Sequence, residues 1–312
     1  MTTGTLFRGQ QQYDNPTVES ALWMLPRYAI NDAFQIRARA ILTYEYTNSD
    51  STRYRNEPVL SDTTVQLYYR KLPKVFEFQP LLAANVGLPT SKASRARTTI
   101  FAPGATLQMS RGFEHFLKGE LLILTALTYS HPIYSSRNPT VADDRPANSF
   151  QCLGGTNCSD LLTGTMNPSD TLSYLVLLSP EWGKWNPAIM YLGASQWVYQ
   201  PKPVQNPVDG TPVTAAPGFE PTSVRQTHYL SAWLDYNINA WLTAEVGYWN
   251  SITAIGGNGE RANLIFDRYQ DTRVYIGGSI QLDNLVKELQ GGAEGEAGIV
   301  RAKNQKTPMF TF

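Results

Sequence analysis

The strongest constraint on this chain is a run of alternating apolar and polar residues that is too long for an ordinary soluble strand. Within residues 34–47, one face carries Phe34, Ile36, Ala38, Ala40, Leu42, Tyr44 and Tyr46, and the other carries Gln35, Arg37, Arg39, Ile41, Thr43, Glu45 and Thr47. Period-two alternation indicates a β-strand with two unlike faces. Soluble strands are usually about 5–6 residues long, whereas a tilted strand needs about 9–11 residues to cross a bilayer. The run therefore predicts a membrane-spanning strand.

The same alternation recurs along the chain, in stretches separated by connections of two kinds. About twelve strands are predicted, at residues 4–12, 18–29, 34–47, 63–71, 76–86, 104–111, 117–130, 171–180, 187–199, 230–237, 241–248 and 273–282. Short polar connections lie near residues 31–32, 73–74, 112–115, 183–186 and 237–240, and they alternate with long ones at 48–61, 88–103, 131–170, 200–223 and 251–270. Short periplasmic turns alternating with long extracellular loops are typical of outer-membrane barrels. The predicted fold class is all-β, an antiparallel up-and-down transmembrane β-barrel.

Aromatic residues cluster at the predicted strand ends. Examples are Tyr44 and Tyr46, Trp182 and Trp185, and Tyr248. Two such clusters at opposite ends of the strands are expected for the girdles that mark the two faces of a bilayer. The alternative is the ordinary preference of aromatic residues for strands. Their repetition at both ends favours the girdles.

Composition excludes several other classes of protein. Charged residues make up 17% of the 312 residues, below the average of about 25%, and the formal net charge is zero. No basic excess predicts a nucleic-acid partner, and no apolar run of about 18 residues predicts a membrane helix. The first twelve residues lack the pattern of a signal peptide. For a protein of the outer membrane we expect such a signal to have been removed.

Residues 277–282, with the sequence GGSIQL, carry a resemblance to a known class. They are similar to the sorting signal of bacterial outer-membrane β-barrel proteins, a glycine followed by two hydrophobic residues spaced by one residue. In that class the signal usually ends the chain with an aromatic residue, whereas here some thirty residues follow and the chain ends in Phe312. Residues 88–91, with the sequence LPTS, are similar to the strand-to-loop corner of some small porin-like transporters. The resemblance to this class implies location in the outer membrane, contact with lipid and lipopolysaccharide, insertion by the barrel-assembly machinery, and no cofactor.

Charged and polar side chains on the second face of the strands should line the barrel lumen. This set contains Arg37, Arg39, Glu45, Gln66, Arg70, Glu77, Gln79, Lys118, Glu120, Arg225, Asp235, Glu245 and Arg273. In a conducting pore, such residues line water and set selectivity. In a closed barrel they pair with each other, because charges in a narrow low-dielectric space need partners. A barrel of about twelve strands permits either arrangement.

Two predicted strands are apolar on both faces, near residues 121–127 and 172–178. Alternation points Leu122, Leu124, Leu175 and Leu177 into the lumen, where contact with water is unfavourable by roughly 25 cal/mol per Å². We therefore expect a cover, and the infolded 131–170 loop is our hypothesis because it joins these strands. An apolar solute, the C-terminal segment or a neighbouring subunit are the alternatives.

Side chains suited to chemistry are few. Cys152 and Cys158 enclose a short glycine-containing segment of the longest predicted loop and are interpreted as a disulfide formed in an oxidising compartment. A zinc site is the alternative, but it needs about four ligands, and no metal site is predicted. His228 raises the possibility of a lipid hydrolase, yet no nucleophile-elbow motif accompanies it. Catalysis is not expected.

The predicted organisation is a barrel over residues 1–285 and a flexible periplasmic tail over 286–312, rich in glycine and alanine. The predicted function is a porin-like channel for passive passage of small polar solutes or ions. The alternative is a non-conducting scaffold that anchors a periplasmic or cell-surface complex through its loops and tail. The final residues of the tail are the candidate segment for docking a periplasmic partner.

Overall fold

The structure, a computed structural model, describes residues 18–47, 56–137, 166–200, 204–205, 212–213, 223–253, 263–265 and 271–289. The strands in chain order are β1 (Glu19–Met24), β2 (Arg27–Ala29), β3 (Phe34–Glu45), β4 (Pro58–Leu60), β5 (Thr63–Tyr69), β6 (Gln79–Leu88), β7 (Thr99–Phe116), β8 (Gly119–Ser130), β9 (Ile133–Tyr134), β10 (Pro168–Glu181), β11 (Trp185–Val198), β12 (Val204–Gln205), β13 (Pro212–Val213), β14 (Val224–Asn237), β15 (Leu242–Thr253) and β16 (Asp271–Ile280). Within the described residues two helices accompany them, α1 (Lys92–Ala96) and α2 (Leu282–Leu289).

One antiparallel sheet contains nearly all of these strands. Within this sheet, hydrogen-bonded strands follow one another in the order β1-β3-β5-β6-β7-β8-β10-β11-β14-β15-β16, and β12 pairs separately with β13. The short strands are continuations of longer ones, since β2 extends β1 along β3, β4 precedes β5 along β3, and β9 extends β8 along β7. The described part of the chain therefore has eleven strand positions in up-and-down order, which confirms the predicted fold class. The predicted strand at 4–12 lies outside the described residues.

The connections between these strand positions alternate in length as predicted. The short ones, at 30–33, 70–78, 117–118, 182–184 and 238–241, all lie at one end of the sheet. Two of them use the same device. Asn31 Oδ1 accepts hydrogen bonds from the N–H groups of Ala33 and Phe34, at 2.9 and 2.8 Å, and Asn239 Oδ1 does so for Trp241 and Leu242, at 3.0 and 2.8 Å. In both turns the asparagine side chain accepts hydrogen bonds from backbone N–H groups. Because asparagine favours turns for this reason, these two turns were predictable from the sequence.

The turn predicted at residues 112–115 is wrong. Strand β7 continues to Phe116, and the chain reverses at Leu117 and Lys118, which have φ values of 48° and 66°. Two consecutive positive φ values match the twist of a hairpin, but they are usually supplied by Asn or Gly. Gly112 suggested the turn but lies within the strand, and neither Leu117 nor Lys118 carries a turn signal.

The sheet is apolar on its outward face, and on β3 its inward face is polar. On β3, the apolar Phe34 and Ile36 are exposed while Gln35 and Arg37 between them are buried, at 6% and 8% exposure. Other outward residues, including Val65, Leu67, Leu82, Val86, Leu107, Val176 and Ile189, are exposed as well. This inverts the usual burial of a soluble sheet and is the polarity of a transmembrane barrel.

The first and last strands of the sheet, β1 and β16, meet at a seam. Both run from the long-loop end to the short-turn end, and among the described residues they are not neighbours in the hydrogen-bonded order. An ion pair between Glu19 of β1 and Arg273 of β16 spans the seam on the inward face. Because strands with the same direction cannot pair in an antiparallel manner, closure of the sheet by an antiparallel ladder needs one further strand.

The two helices lie at opposite ends of the strands. Helix α1 lies in the β6–β7 connection, capped by Ser91, whose side chain accepts a bond from the Ser94 N–H. Helix α2 follows β16 at the short-turn end, where Asn284 Nδ2 donates to the Ala240 carbonyl at 3.0 Å. The predicted boundary between barrel and tail, at residue 286, falls within α2, and residues 290–312 lie outside the described chain.

Candidate functional site in the lumen

Arginines and polar residues of β3 and β5 form one wall of the lumen. The Arg37 guanidinium donates from Nε and Nη2 to Gln35 Oε1, at 3.2 and 3.1 Å. It also lies 4.2 Å above the ring centroid of Tyr68, an arrangement in which the ring's negative face stabilises the cation. Arg39 is half-buried, and its Nε has no hydrogen-bond partner among the described residues. The wall is thus cationic toward the lumen.

A chain of side-chain hydrogen bonds continues this wall across four strands. The Tyr68 hydroxyl donates to Gln66 Oε1 at 2.8 Å, and Gln66 Nε2 donates to Asn85 Oδ1 at 3.1 Å. Asn85 Nδ2 then donates to Thr106 Oγ1 at 2.7 Å, and Thr106 Oγ1 lies 2.8 Å from Thr128 Oγ1. We call these five residues the polar ladder. Because its members satisfy one another, this wall is fixed in position.

The opposite wall is apolar, and its residues pack together. The lumen cluster consists of Leu124 of β8, Leu175 and Leu177 of β10, and Ala188, Met190 and Leu192 of β11, all at most 7% exposed. Trp23, Tyr229 and Trp233 pack against this cluster. Since Trp23 belongs to β1, it reaches the cluster from the seam.

The predicted inward direction of Leu124, Leu175 and Leu177 agrees with this cluster. Within the described chain, inward aromatic residues cover them rather than a loop. Residues 138–165 of the predicted covering loop, including Cys152 and Cys158, lie outside the described residues. The hypothesis of the infolded loop therefore stays a prediction.

An acidic row lies on the inward faces of β11, β14 and β15. Asn186 is the register partner of Asp235, and Asp235 is the register partner of Glu245. Asn186 is 2% exposed and Glu245 9% exposed. The predicted lumen residues Asp235 and Glu245 are thus brought together. Asn186 was missed, because the sequence placed it in a turn.

A second charged group lies at the long-loop end of the lumen. Glu45, 2% exposed, accepts a 2.7 Å bond from the Thr47 hydroxyl, and its register partner is Glu19. Glu19 pairs with Arg273, whose guanidinium lies 5.8 Å from the Trp249 ring centroid. The predicted residues Glu45 and Arg273 therefore lie near one another, although far apart in sequence.

Other predicted lumen residues lie at the short-turn end. Arg70 directly follows β5, and its N–H donates to the Ala33 carbonyl at 2.8 Å. Glu77 lies in the β5–β6 connection with 74% of its side chain exposed and pairs with Arg111 on the outward side. Lys118 occupies the tight turn, and Glu120 is exposed at the start of β8. Glu77 and Lys118 belong to connections, to which strand alternation does not apply.

His228 lies on the outward face and not in the lumen. Its Nδ1 is 2.8 Å from the Tyr191 hydroxyl, and the two rings stack with centroids 6.0 Å apart. The partner of this histidine in the described chain is a tyrosine, which differs from the serine–histidine pair that a hydrolase of the serine type requires.

None of the described helices is long and apolar enough to cross a membrane.

Known proteins similar to this chain are found among solved structures. No protein-family model matches the chain, and no curated protein matches it. Among solved structures, the chain is similar to OmpT (in-vitro folded), an outer membrane protein of Vibrio cholerae, with 10% identity and a TM-score of 0.32, over 85% of this chain and 95% of that one.

Proposed function

We propose that the chain is a bacterial outer-membrane β-barrel whose lumen is a narrow channel for small polar solutes or ions. One observation carries this proposal. The inward face bears buried charges of opposite sign on different walls, with Arg37 on β3 and Glu245 on β15, while the outward face is apolar. Charges on a lumen wall act at short range on any ion that passes, because the surrounding dielectric is low.

The outward face supports insertion in a lipid bilayer. Lipid favours an apolar band about 25 Å tall bordered by aromatic girdles. At the long-loop end, Tyr44, Tyr129 and Trp197 are exposed, and at the short-turn end Trp182 and Trp185 are exposed. Lipid and lipopolysaccharide are the partners we propose for this surface, and barrel-assembly machinery is the proposed route of insertion.

The packed cluster supports a narrow channel rather than a wide pore. Leu177 and Met190 are 2% and 1% exposed although they face inward, and Trp23 packs against their cluster. A wide water-filled lumen would leave such residues wet, which is unfavourable. A constricted path beside this cluster suits small solutes only.

The same cluster also favours a second candidate, a non-conducting scaffold. In that case the lumen is sealed and the binding surfaces lie at the barrel ends. Helix α2 supplies one such surface, because Leu282, Val286 and Leu289 are exposed at 66%, 47% and 77%. These residues fall on one helical face and provide an apolar stripe for a periplasmic partner.

Single-channel conductance of the refolded protein in a planar bilayer tests the proposal. We expect small steps that depend on salt, and an Arg39→Glu variant should become more selective for cations. Arg111→Glu, on the outward side of β7, is the matched control and should leave selectivity unchanged. A silent bilayer, from protein shown to be inserted and folded, would reject the channel. If Trp23→Ala then conducts, the cluster is the seal and the scaffold is supported.

A further inference from the structure

We infer that the acidic row of Asn186, Asp235 and Glu245 is a binding site for a hard divalent cation of the calcium type. This inference deepens the proposed channel function by naming an ion that the lumen binds. The site itself requires only a folded barrel, so it can be tested without any measurement of conduction.

Register places the three side chains side by side on the inward face. Asn186 pairs with Asp235 across β11 and β14, and Asp235 pairs with Glu245 across β14 and β15. Directly opposite residues in antiparallel strands have Cβ atoms about 4.5–5.5 Å apart. Carboxylate and carboxamide groups at that spacing can bind one ion between them.

Two carboxylates held opposite each other repel, and this pair is not in bulk water. Glu245 is 9% exposed and Asp235 is half-buried. Among the described residues, Glu245 forms no ion pair with a lysine, arginine or histidine side chain. Buried like charges are stable only with a proton or a cation between them. A bound cation supplies that compensation.

Asn186 gives an independent indication of a ligand. Its side chain is 2% exposed, yet neither Oδ1 nor Nδ2 has a hydrogen-bond partner among the described residues. Buried polar atoms in native proteins are nearly always satisfied, and leaving one unsatisfied costs about 1–3 kcal/mol. Coordination of a cation by Oδ1 satisfies one of these atoms, and a water molecule of the ion's shell can accept from Nδ2.

The strand next to Glu245 places no side chain directly opposite it. Its register partner on β16 is Gly277, where an added Cβ would meet no atom within 4 Å. A glycine at this position leaves open space on the β16 side of Glu245.

The donor set selects the class of cation. All three candidate ligands are oxygen atoms, which suit calcium, with its 6–8 ligands, better than zinc, which prefers histidine and cysteine. The described chain contains no group of three or more His, Cys, Asp or Glu side chains arranged for a metal. The site thus depends on the carboxamide as third ligand and on water for the remainder.

Terbium luminescence in detergent-folded protein tests the site. Tb³⁺ replaces Ca²⁺ and emits when excited through nearby tryptophan, here Trp233, two residues from Asp235 on the same strand. We expect saturable emission that Ca²⁺ competes away. The double variant Asp235→Asn/Glu245→Gln should bind at least tenfold more weakly. The control is Asp32→Asn/Glu77→Gln, two exposed carboxylates outside the row, which should bind like the parent.

Each result decides between the alternatives. Absence of saturable Tb³⁺ emission in the folded parent, or equal loss in both double variants, overturns the site. If the acidic double variant does not fold, Asn186→Asp replaces it, and unchanged affinity there also overturns the site, because a third carboxylate should tighten binding. A barrel that binds Tb³⁺ and is silent in bilayers loses the channel but keeps the site. A conducting barrel without Tb³⁺ binding loses only the site.

Discussion

The two walls of the lumen are both buried, but by different means. Asn85 and Thr106, in the polar ladder, are 8% and 6% exposed, and Leu177 and Met190, in the lumen cluster, are 2% and 1% exposed. The polar wall is held by directional hydrogen bonds, whereas the apolar wall is held by close packing. The comparison teaches that side chains inside a barrel can be buried either by hydrogen bonding to one another or by packing against one another.

The two walls should therefore fail in different ways. A truncated apolar side chain leaves a cavity whose cost grows with the volume lost. A replaced ladder residue leaves its former partners buried without hydrogen bonds, and the cost falls on those partners. Changing both partners of a hydrogen bond should therefore recover part of the lost stability. A second truncation on the apolar wall cannot refill the cavity left by the first.

The largest effect is expected on the apolar wall. Leu177→Ala should lower the free energy of unfolding by about 2–5 kcal/mol, because a fully buried leucine leaves a cavity. Urea unfolding in lipid vesicles, followed by tryptophan fluorescence, measures the change. Val176→Ala, the outward neighbour at 42% exposure, is the matched control and should lose less, since lipid fills the space. Equal losses in the two variants would contradict a packed lumen.

A smaller loss is expected in the polar ladder. Asn85→Leu removes two hydrogen bonds, to Gln66 and Thr106, and should cost about 1–3 kcal/mol in the same unfolding assay. Adding Thr106→Val should recover part of that loss, because it removes one of the unsatisfied groups. The outward change Val86→Leu serves as control. If the double variant is less stable than the parent by the sum of the two single losses, the ladder is not a coupled unit.

The smallest effect is expected at the end of the ladder. Thr128→Val removes one hydroxyl that contacts only Thr106 within the ladder, and the loss should be about 0.5–1.5 kcal/mol. The Thr106 hydroxyl keeps its bond from Asn85, so no donor chain is broken. A loss of stability as large as that of Asn85→Leu would mean that removing the last hydrogen bond also weakens the other hydrogen bonds of the ladder.

Much of the fold was predictable because a strand's side chains alternate with a period of two. Alternation alone gave the inward direction of Arg37, Asp235 and Glu245, and the asparagines at 31 and 239 lie in the short turns that composition predicted. The turn at Leu117 and Lys118 was not predictable, because neither residue favours a positive φ. Glu77 was assigned to the lumen because the alternating pattern begins at residue 76, before the true start of β6 at Gln79.

The sequence by itself determined which side chains of each strand share a face and that the outward set is apolar, and hence that the chain forms an inverted sheet suited to lipid. Only the tertiary structure decided which inward side chains meet. Trp23 reaches the leucines of β10, Glu19 pairs with Arg273, and Asn186 joins Asp235 and Glu245 in one row. The physical reason is that alternation is a local property of one strand, whereas neighbours and register are set by pairing between strands far apart in the chain.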